Sequence, residues 1–223
     1  MDKRFLVILA AIVVIFAGIF IFSQHSSNKS STSSAQPSSH VAGDGAKNVT
    51  LVEYGDFQCS ACEAYEQTLD QVRTTYAKDI HFQFRNLPLS SLHPNAFAAA
   101  RTAEAASLQN KFWEMHDTLY SQANWQEWTV SSSPIDLFKG YAQQLGLDVT
   151  KFQSDFSSEK VNSTIQADMS AFKKTGQQQA TPSFFLDGTY LDNSKLVDQN
   201  NRPSFDKFKA VIDAEIVKQQ PKQ

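Results

Sequence analysis

Cys59 and Cys62 are the only cysteines in 223 residues, and they sit three apart. Before them runs Val49-Thr50-Leu51-Val52-Glu53-Tyr54, an apolar, β-branched stretch that reads as a strand. After them Glu63 to Val72 reads as a helix. Residues i and i+3 on a helical turn lie about 5–6 Å apart. A disulfide needs Cα atoms about 4.4–6.8 Å apart, so this pair can close and reopen with little backbone movement. Cys59 falls at the helix start, where free N–H groups and the dipole favour an anion. A free thiol of pKa near 8.5 is roughly 3% thiolate at pH 7, whereas one near 5.5 is roughly 97% thiolate. Cys62, one turn inside, is expected to be less exposed and to act as the resolving thiol.

Two plainer readings compete. A structural disulfide closing so short a loop removes little chain entropy. A zinc site needs two more ligands at suitable spacing. No second cysteine pair exists, and His25, His40, His81, His93 and His116 are scattered. No metal and no cofactor is therefore expected.

The N-terminus bears on location. Phe5 to Phe22 is an uncharged, mostly apolar run of 18 residues preceded by Lys3 and Arg4. As a helix it is about 27 Å long, near the hydrocarbon thickness of a bilayer. The basic residues predict a cytoplasmic N-terminus with the rest of the chain crossing. A cleaved signal peptide is the alternative, but the run ends in bulky residues where small ones are wanted. The expectation is a single-pass membrane protein with an extracytoplasmic catalytic domain, where disulfides persist. Ser23 to Lys47 carries nine serines by Ser39 and reads as a disordered linker. The whole chain is 41% hydrophobic with 17 Phe, ample for one globular core. A net charge of −3 gives no footprint for a nucleic-acid partner.

Along the folded part, Asp79 to Leu87 alternates apolar and polar residues and reads as a second strand, completing a βαβ unit. Residues 89 to about 176 turn helical. Ala96 to Ala106 is a strong helix former. Asn110 reads as the cap of the next helix, with Phe112, Met115, His116 and Leu119 on one buried face. His116 on that face reads as a core or interdomain histidine rather than a catalytic one. Trp125 and Trp128 read as a turn. Helices follow after Pro134 and Asp148, and a last one around Val161 to Phe172 ends at Gly176. Ala180 to Leu186 reads as a strand, Asp187-Gly188 as a hairpin turn, and Phe205 to Ile216 as a C-terminal amphipathic helix. Pro182 opens a strand, where a cis X–Pro bond is a specialised feature.

Three pieces now stand in order: the strand with Phe57-Gln58-Cys59-Ser60-Ala61-Cys62, the helix with Lys111-Phe112-Trp113-Glu114-Met115-His116-Asp117, and Ala180-Thr181-Pro182-Ser183-Phe184-Phe185. Together they resemble a DsbA-like thiol–disulfide oxidoreductase of the thioredoxin superfamily, over about Ala46 to Lys218. The resemblance implies an α/β thioredoxin fold with an inserted helical domain, here preceded by the transmembrane helix. The expected division is 1–4 cytoplasmic, 5–22 anchor, 23–47 linker, 48–89 and 179–223 the two halves of the thioredoxin fold, and 90–178 the helical insertion. It implies Cys59 as the attacking thiol, Cys62 as the resolving one, and Thr181-Pro182 as a cis-proline loop that pairs with substrate. Glu53, six residues before Cys59, matches the family's buried acid and would accept a proton from Cys62. The alternative for Glu53 is an exposed glutamate in salt bridges. Ser60-Ala61 departs from the Pro-His of the strongest oxidants, which implies a less oxidising couple. The expected activity is disulfide donation to cysteine-containing exported proteins by a monomer. A membrane quinone-linked reoxidase, DsbB- or VKOR-like, is the expected partner. A reductase or isomerase of the same fold, or a tethered peptide-binding chaperone, are the alternatives.

Overall fold

The computed structural model describes residues 35–220. Among them, five strands form one mixed sheet in the order β1-β3-β2-β4-β5. β2 (Val49–Gly55) and β3 (Ile80–Asn86) are parallel, with Val49 opposite Ile80 and Gly55 opposite Asn86. The crossover between them is α1 (Ser60–Thr75). β4 (Ser183–Leu186) lies antiparallel on the other side of β2, and β5 (Thr189–Leu191) closes that edge as a hairpin. The hairpin turns through Asp187 and Gly188, both at positive φ, as the Asp-Gly pair predicts. β4 begins at Ser183 rather than Ala180: Pro182 has no N–H to give a ladder, and the Thr181–Pro182 bond is cis.

One layer of the core lies between the sheet and two helices. α1 buries Cys62, Tyr65, Leu69 and Val72, an i, i+3, i+7, i+10 stripe. It packs with Leu51, Phe82 and Phe184 of the sheet and with Phe208 and Ile212 of α8 (Phe205–Gln219). Between β3 and β4 the chain forms α2 (Ala96–Ser107), α3 (Phe112–Tyr120), α4 (Gln122–Trp128), α5 (Ile135–Gln144), α6 (Val149–Phe156) and α7 (Glu159–Lys174). α2 to α6 share a second core with Phe57, Phe84 and both cysteines, including Met115, Leu119, Trp128, Phe138 and Phe152, while α7 packs Val161 and Ile165 against Ala100. The cysteine pair therefore sits at the seam between sheet and insertion.

Several local expectations differ from the structure. Asn110 does not cap α3: it takes a left-handed φ of 59° and Lys111 occupies the cap position. Trp125 and Trp128 lie in α4, not in a turn. Trp128 is wholly buried and donates its indole N–H to the Leu119 carbonyl at 2.9 Å. The disorder expected from Ser23 through Lys47 does not hold for the described part of that stretch, where His40–Ala42 forms β1, antiparallel to β3; residues 23–34 lie outside the described residues.

The expected single-pass membrane location, with an extracytoplasmic catalytic domain, is corrected. No helix among the described residues is long and apolar enough to cross a membrane. α1 and α7 have 16 residues each and carry charged faces; at about 1.5 Å per residue they fall short of a hydrocarbon core of about 30 Å. The Phe5–Phe22 stretch and Lys3-Arg4, on which that location stood, lie outside the described residues. The assignment is withdrawn.

Candidate active site

Cys59 occupies the N-cap of α1 in an extended conformation, and its carbonyl accepts the Glu63 N–H at 3.1 Å. The Cys59 N–H is taken by the Asp56 carbonyl at 3.0 Å, and the Ala61 and Cys62 amides of the first turn are the ones that reach its sulfur. Both cysteines are free thiols, Cys59 9% exposed and Cys62 wholly buried. The two sulfurs are held in opposite states. Cys59 falls from an ordinary value of 9.0 to about 5. The first cause is a hydrogen bond from the Cys62 thiol; burial opposes it, and Thr181 and the Cys62 and Ala61 amides add to the lowering. Cys62 is pushed well up, first by burial and then by the hydrogen bond and charge of Cys59 and the charge of Glu53. The Asp56 N–H donates to Cys62 Sγ at 3.5 Å.

Thr181, joined to Pro182 by the cis bond, faces this pair. The Thr181 carbonyl oxygen stands 3.4 Å from Cys59 Sγ, an acceptor that suits the thiol. The buried Thr181 hydroxyl has no other protein partner among the described residues. It is the donor that suits the thiolate, and Thr181 lowers Cys59. Glu53 lies in β2 and is wholly buried, so the exposed, salt-bridged alternative falls. Burial first, then the Glu66 charge, raises its carboxyl well above the usual range; the Arg73 guanidinium opposes this. Burial thus favours the neutral carboxyl, the form that can donate a proton before it accepts one.

The structure adds residues that spacing did not single out. Asp56 is 1% exposed and accepts from the Gln58 N–H, the Leu89 N–H and His93 Nδ1 at 2.8, 2.8 and 2.7 Å. Gln58 accepts from the Asn95 N–H at 2.6 Å and donates to the Thr129 carbonyl at 2.7 Å. Trp125 donates to the Phe57 carbonyl at 2.8 Å. The loop that presents Cys59 is thus pinned by side chains on both sides of the seam. The nearest sequence signal was an acid three residues before the first cysteine, which by itself matches any turn. Glu66, His116 and Asp117 bring potential metal-ligand atoms within 4.8 Å of one another. Arg73 Nη2 already lies 3.3 Å from both carboxylates, so a guanidinium supplies the positive charge there.

Residues 35–214 match the Thioredoxin family. Among curated relatives, the Na(+)/H(+) antiporter NhaA 1 of Mycolicibacterium gilvum is 36% identical over 151 residues, 67% of this chain. The NhaA antiporter of Herminiimonas arsenicoxydans is 34% identical over 155 residues, 70% of this chain. This chain spans only 23% of the length of each of these two relatives. Among solved structures, BdbD from Bacillus subtilis aligns at a TM-score of 0.65 and 22% identity, over 82% of this chain and 97% of that one. Wolbachia pipientis α-DsbA1 aligns at 0.66 and 20%, over 82% and 93%. A thioredoxin-like oxidoreductase from Silicibacter pomeroyi aligns at 0.63 and 21%, over 79% and 91%. With a two-thiol helix N-terminus, a cis-proline loop against it and a helical insertion beside it, the chain belongs to the thioredoxin family and carries the fold of its DsbA-like thiol–disulfide oxidoreductases.

Proposed function

We propose that this protein is a thiol–disulfide oxidoreductase that donates its Cys59–Cys62 disulfide to cysteine-containing exported proteins. The observation that carries the reading is the asymmetry of the two thiols, Cys59 near 5 and Cys62 far above it. At pH 7 a thiol lowered from 9.0 to about 5 stabilises the reduced protein by about 3 kcal/mol, roughly 60 mV for a two-electron couple. Stabilising the reduced form makes the disulfide a better oxidant. This works without a histidine between the cysteines, since the Cys62 S–H and Thr181 supply the hydrogen bonds.

Substrate thiolate attacks Cys59 Sγ, the more exposed sulfur, and Cys62 leaves. A second substrate thiolate then attacks the substrate sulfur of the mixed disulfide and releases Cys59 as a stable thiolate. Thr181 and Pro182 border the sulfur and supply backbone for an extended substrate segment. Beside that loop two surface hollows of about 530 and 330 Å³ share Met169 and Gln179, and Met169 is an adaptable lining for varied side chains. The reduced enzyme needs an oxidant, and a membrane quinone-linked reoxidase of the DsbB or VKOR kind fits that need. The site is complete within one chain, which suits a monomer. Cys62→Ala leaves the mixed disulfide unresolved by the enzyme, so it is expected to accumulate Cys59-linked substrates in cells on non-reducing gels. A Cys62→Ala protein that traps none contradicts the reading, and full function in Cys59→Ser favours a binding module instead.

A further inference from the structure

His93 stands beside the cysteine loop with one ring nitrogen fixed and the other free. It lies between β3 and α2, where its N–H donates to the Leu89 carbonyl at 2.9 Å and its carbonyl accepts the Ala96 N–H at 3.2 Å. Its Nδ1 is 2.7 Å from Asp56 Oδ2. Both Asp56 oxygens already accept backbone amides, Oδ1 from Gln58 and Oδ2 from Leu89, at 2.8 Å each. A carboxylate that accepts on both oxygens makes Nδ1 the donor, and the neutral ring then carries its lone pair on Nε2. Among the described residues nothing bonds to that nitrogen, and the side chain is 24% exposed. A buried acid that fixes one imidazole nitrogen and leaves the other open is the arrangement that orients a general base.

The ring is also tied to both cysteines. The Asp56 carbonyl accepts the Cys59 N–H at 3.0 Å and the Asp56 N–H donates to Cys62 Sγ at 3.5 Å, so one residue touches His93, Cys59 and Cys62. Two residues past His93, the Asn95 N–H donates to Gln58 Oε1 at 2.6 Å, next to Cys59. Pro88 to Leu92 line a hollow of about 330 Å³ together with Gln179, two residues before Thr181, whose carbonyl is 3.4 Å from Cys59 Sγ. A substrate segment running from Thr181 into that hollow borders the His93 loop. No charged side chain lines the hollow, and Asp56 is the one ionisable group paired with His93 among the described residues.

We propose that His93 Nε2, oriented by Asp56, is the general base that deprotonates incoming substrate thiols. The proposal rests on the oxidoreductase reading above. Only a thiolate attacks, and a substrate thiol of pKa near 8.5 is about 3% thiolate at pH 7. In the first step Nε2 takes the proton of a substrate thiol as its sulfur bonds to Cys59 Sγ. The Cys59–Cys62 bond breaks and its electron pair leaves on Cys62 Sγ, which takes up one proton while His93 gives one to solvent. In the second step the other substrate thiol attacks the substrate sulfur of the mixed disulfide. Cys59 leaves as a thiolate and takes no proton, so the proton of that thiol goes to Nε2 and then to solvent. The substrate dithiol is oxidised by two electrons, the enzyme pair is reduced by two, and one proton is released.

The test reacts the oxidised full chain, and its His93→Gln and His93→Asn variants, with two thiols at pH 7 by rapid mixing. One is an aliphatic peptide thiol, largely protonated; the other is an aromatic thiol, already ionised. Both replacements keep an N–H for Asp56. The readout is the ratio of the aliphatic to the aromatic rate within each protein, which a loss of folded protein leaves alone because it scales both rates together. The ratio is expected to fall about tenfold in both variants; the thiolate fraction bounds the gain from ionising the thiol near about thirtyfold. Raising the pH until the aliphatic thiol ionises is expected to bring the variants' ratio back to the parent's. A ratio unchanged at pH 7, or one that falls and does not recover at high pH, overturns the assignment. A parent protein that exchanges with neither thiol overturns the oxidoreductase reading itself and the base with it.

Discussion

In the proposed reaction Cys59 is the exchanging thiol, because three kinds of donor converge on its sulfur, and each can be removed separately. The thiolate absorbs near 240 nm, and its titration in the reduced protein is expected to have a midpoint near 5. The first cause of the lowering is the Cys62 S–H, so Cys62→Ala is expected to move that midpoint upward. Thr181→Val removes a hydroxyl donor and is expected to move it the same way by less. Glu53 behaves oppositely. Its folded-state value is raised, so the folded protein binds a proton that the unfolded chain releases above the ordinary carboxyl range. Stability from this group is therefore fully present below the unfolded value near 4.5 and is lost as pH rises toward the folded one. Each unit of that rise costs about 1.4 kcal/mol. Glu53→Gln is expected to be more stable than the parent in urea at pH 7, with the difference closing by pH 4. Equal stability at pH 7 contradicts the burial argument.

At the scale of elements, the loop between β2 and α1 is held by a cluster the sequence did not announce. Asp56 serves two backbone amides and His93, so Asp56→Ala leaves three part-buried donors without their acceptor. A loss of about 1–3 kcal/mol in urea denaturation is expected. Trp125→Phe strands only the Phe57 carbonyl and is expected to cost about 1–3 kcal/mol, with slower exchange as the loop loosens. The Cys59–Cys62 spacing and the Val49–Tyr54 stretch were legible because strand, turn and helix are written locally. So were the Asp148 cap, whose carboxylate accepts the Lys151 N–H at 2.9 Å, and the Asp187-Gly188 turn. Asp56, His93 and Gln58 were not, because apart from the short Asp56–Gln58 turn bond their partners lie 33 to 71 residues away and no local pattern marks them. The α4 tryptophans failed for a related reason. α4 has only seven residues, and its order comes from Trp128 packing into the insertion core rather than from periodicity.

Over the whole molecule, the segment around β1 ties sheet and insertion together through buried polar contacts. The Ser38 N–H and hydroxyl donate to the Asp168 carboxylate of α7 at 2.7 and 2.8 Å, and the Asn86 N–H adds a third bond at 3.0 Å. Asn86 Nδ2 donates to Glu104 Oε1 of α2 at 2.6 Å, and His40 Nε2 meets the same oxygen at 2.7 Å while its ring stacks on Phe112. β1 was invisible in the sequence because three residues beside a serine-rich run have no pattern; pairing with β3 creates the strand. A chain begun at residue 48, where the fold was expected to start, loses the Ser38 and His40 contacts and the β1 pairing. It is expected to melt well below one begun at residue 35, and equal melting would show the network to be idle. The central claim is that this organised seam stabilises the reduced pair and so makes Cys59–Cys62 a disulfide donor. The reduction potential of that pair at pH 7, measured by equilibration in glutathione buffers with alkylation of free thiols, tests it most directly. The account predicts a value more oxidising than about −200 mV, toward the about −120 mV of a strong donor; a value near about −270 mV, in the reducing range, contradicts it.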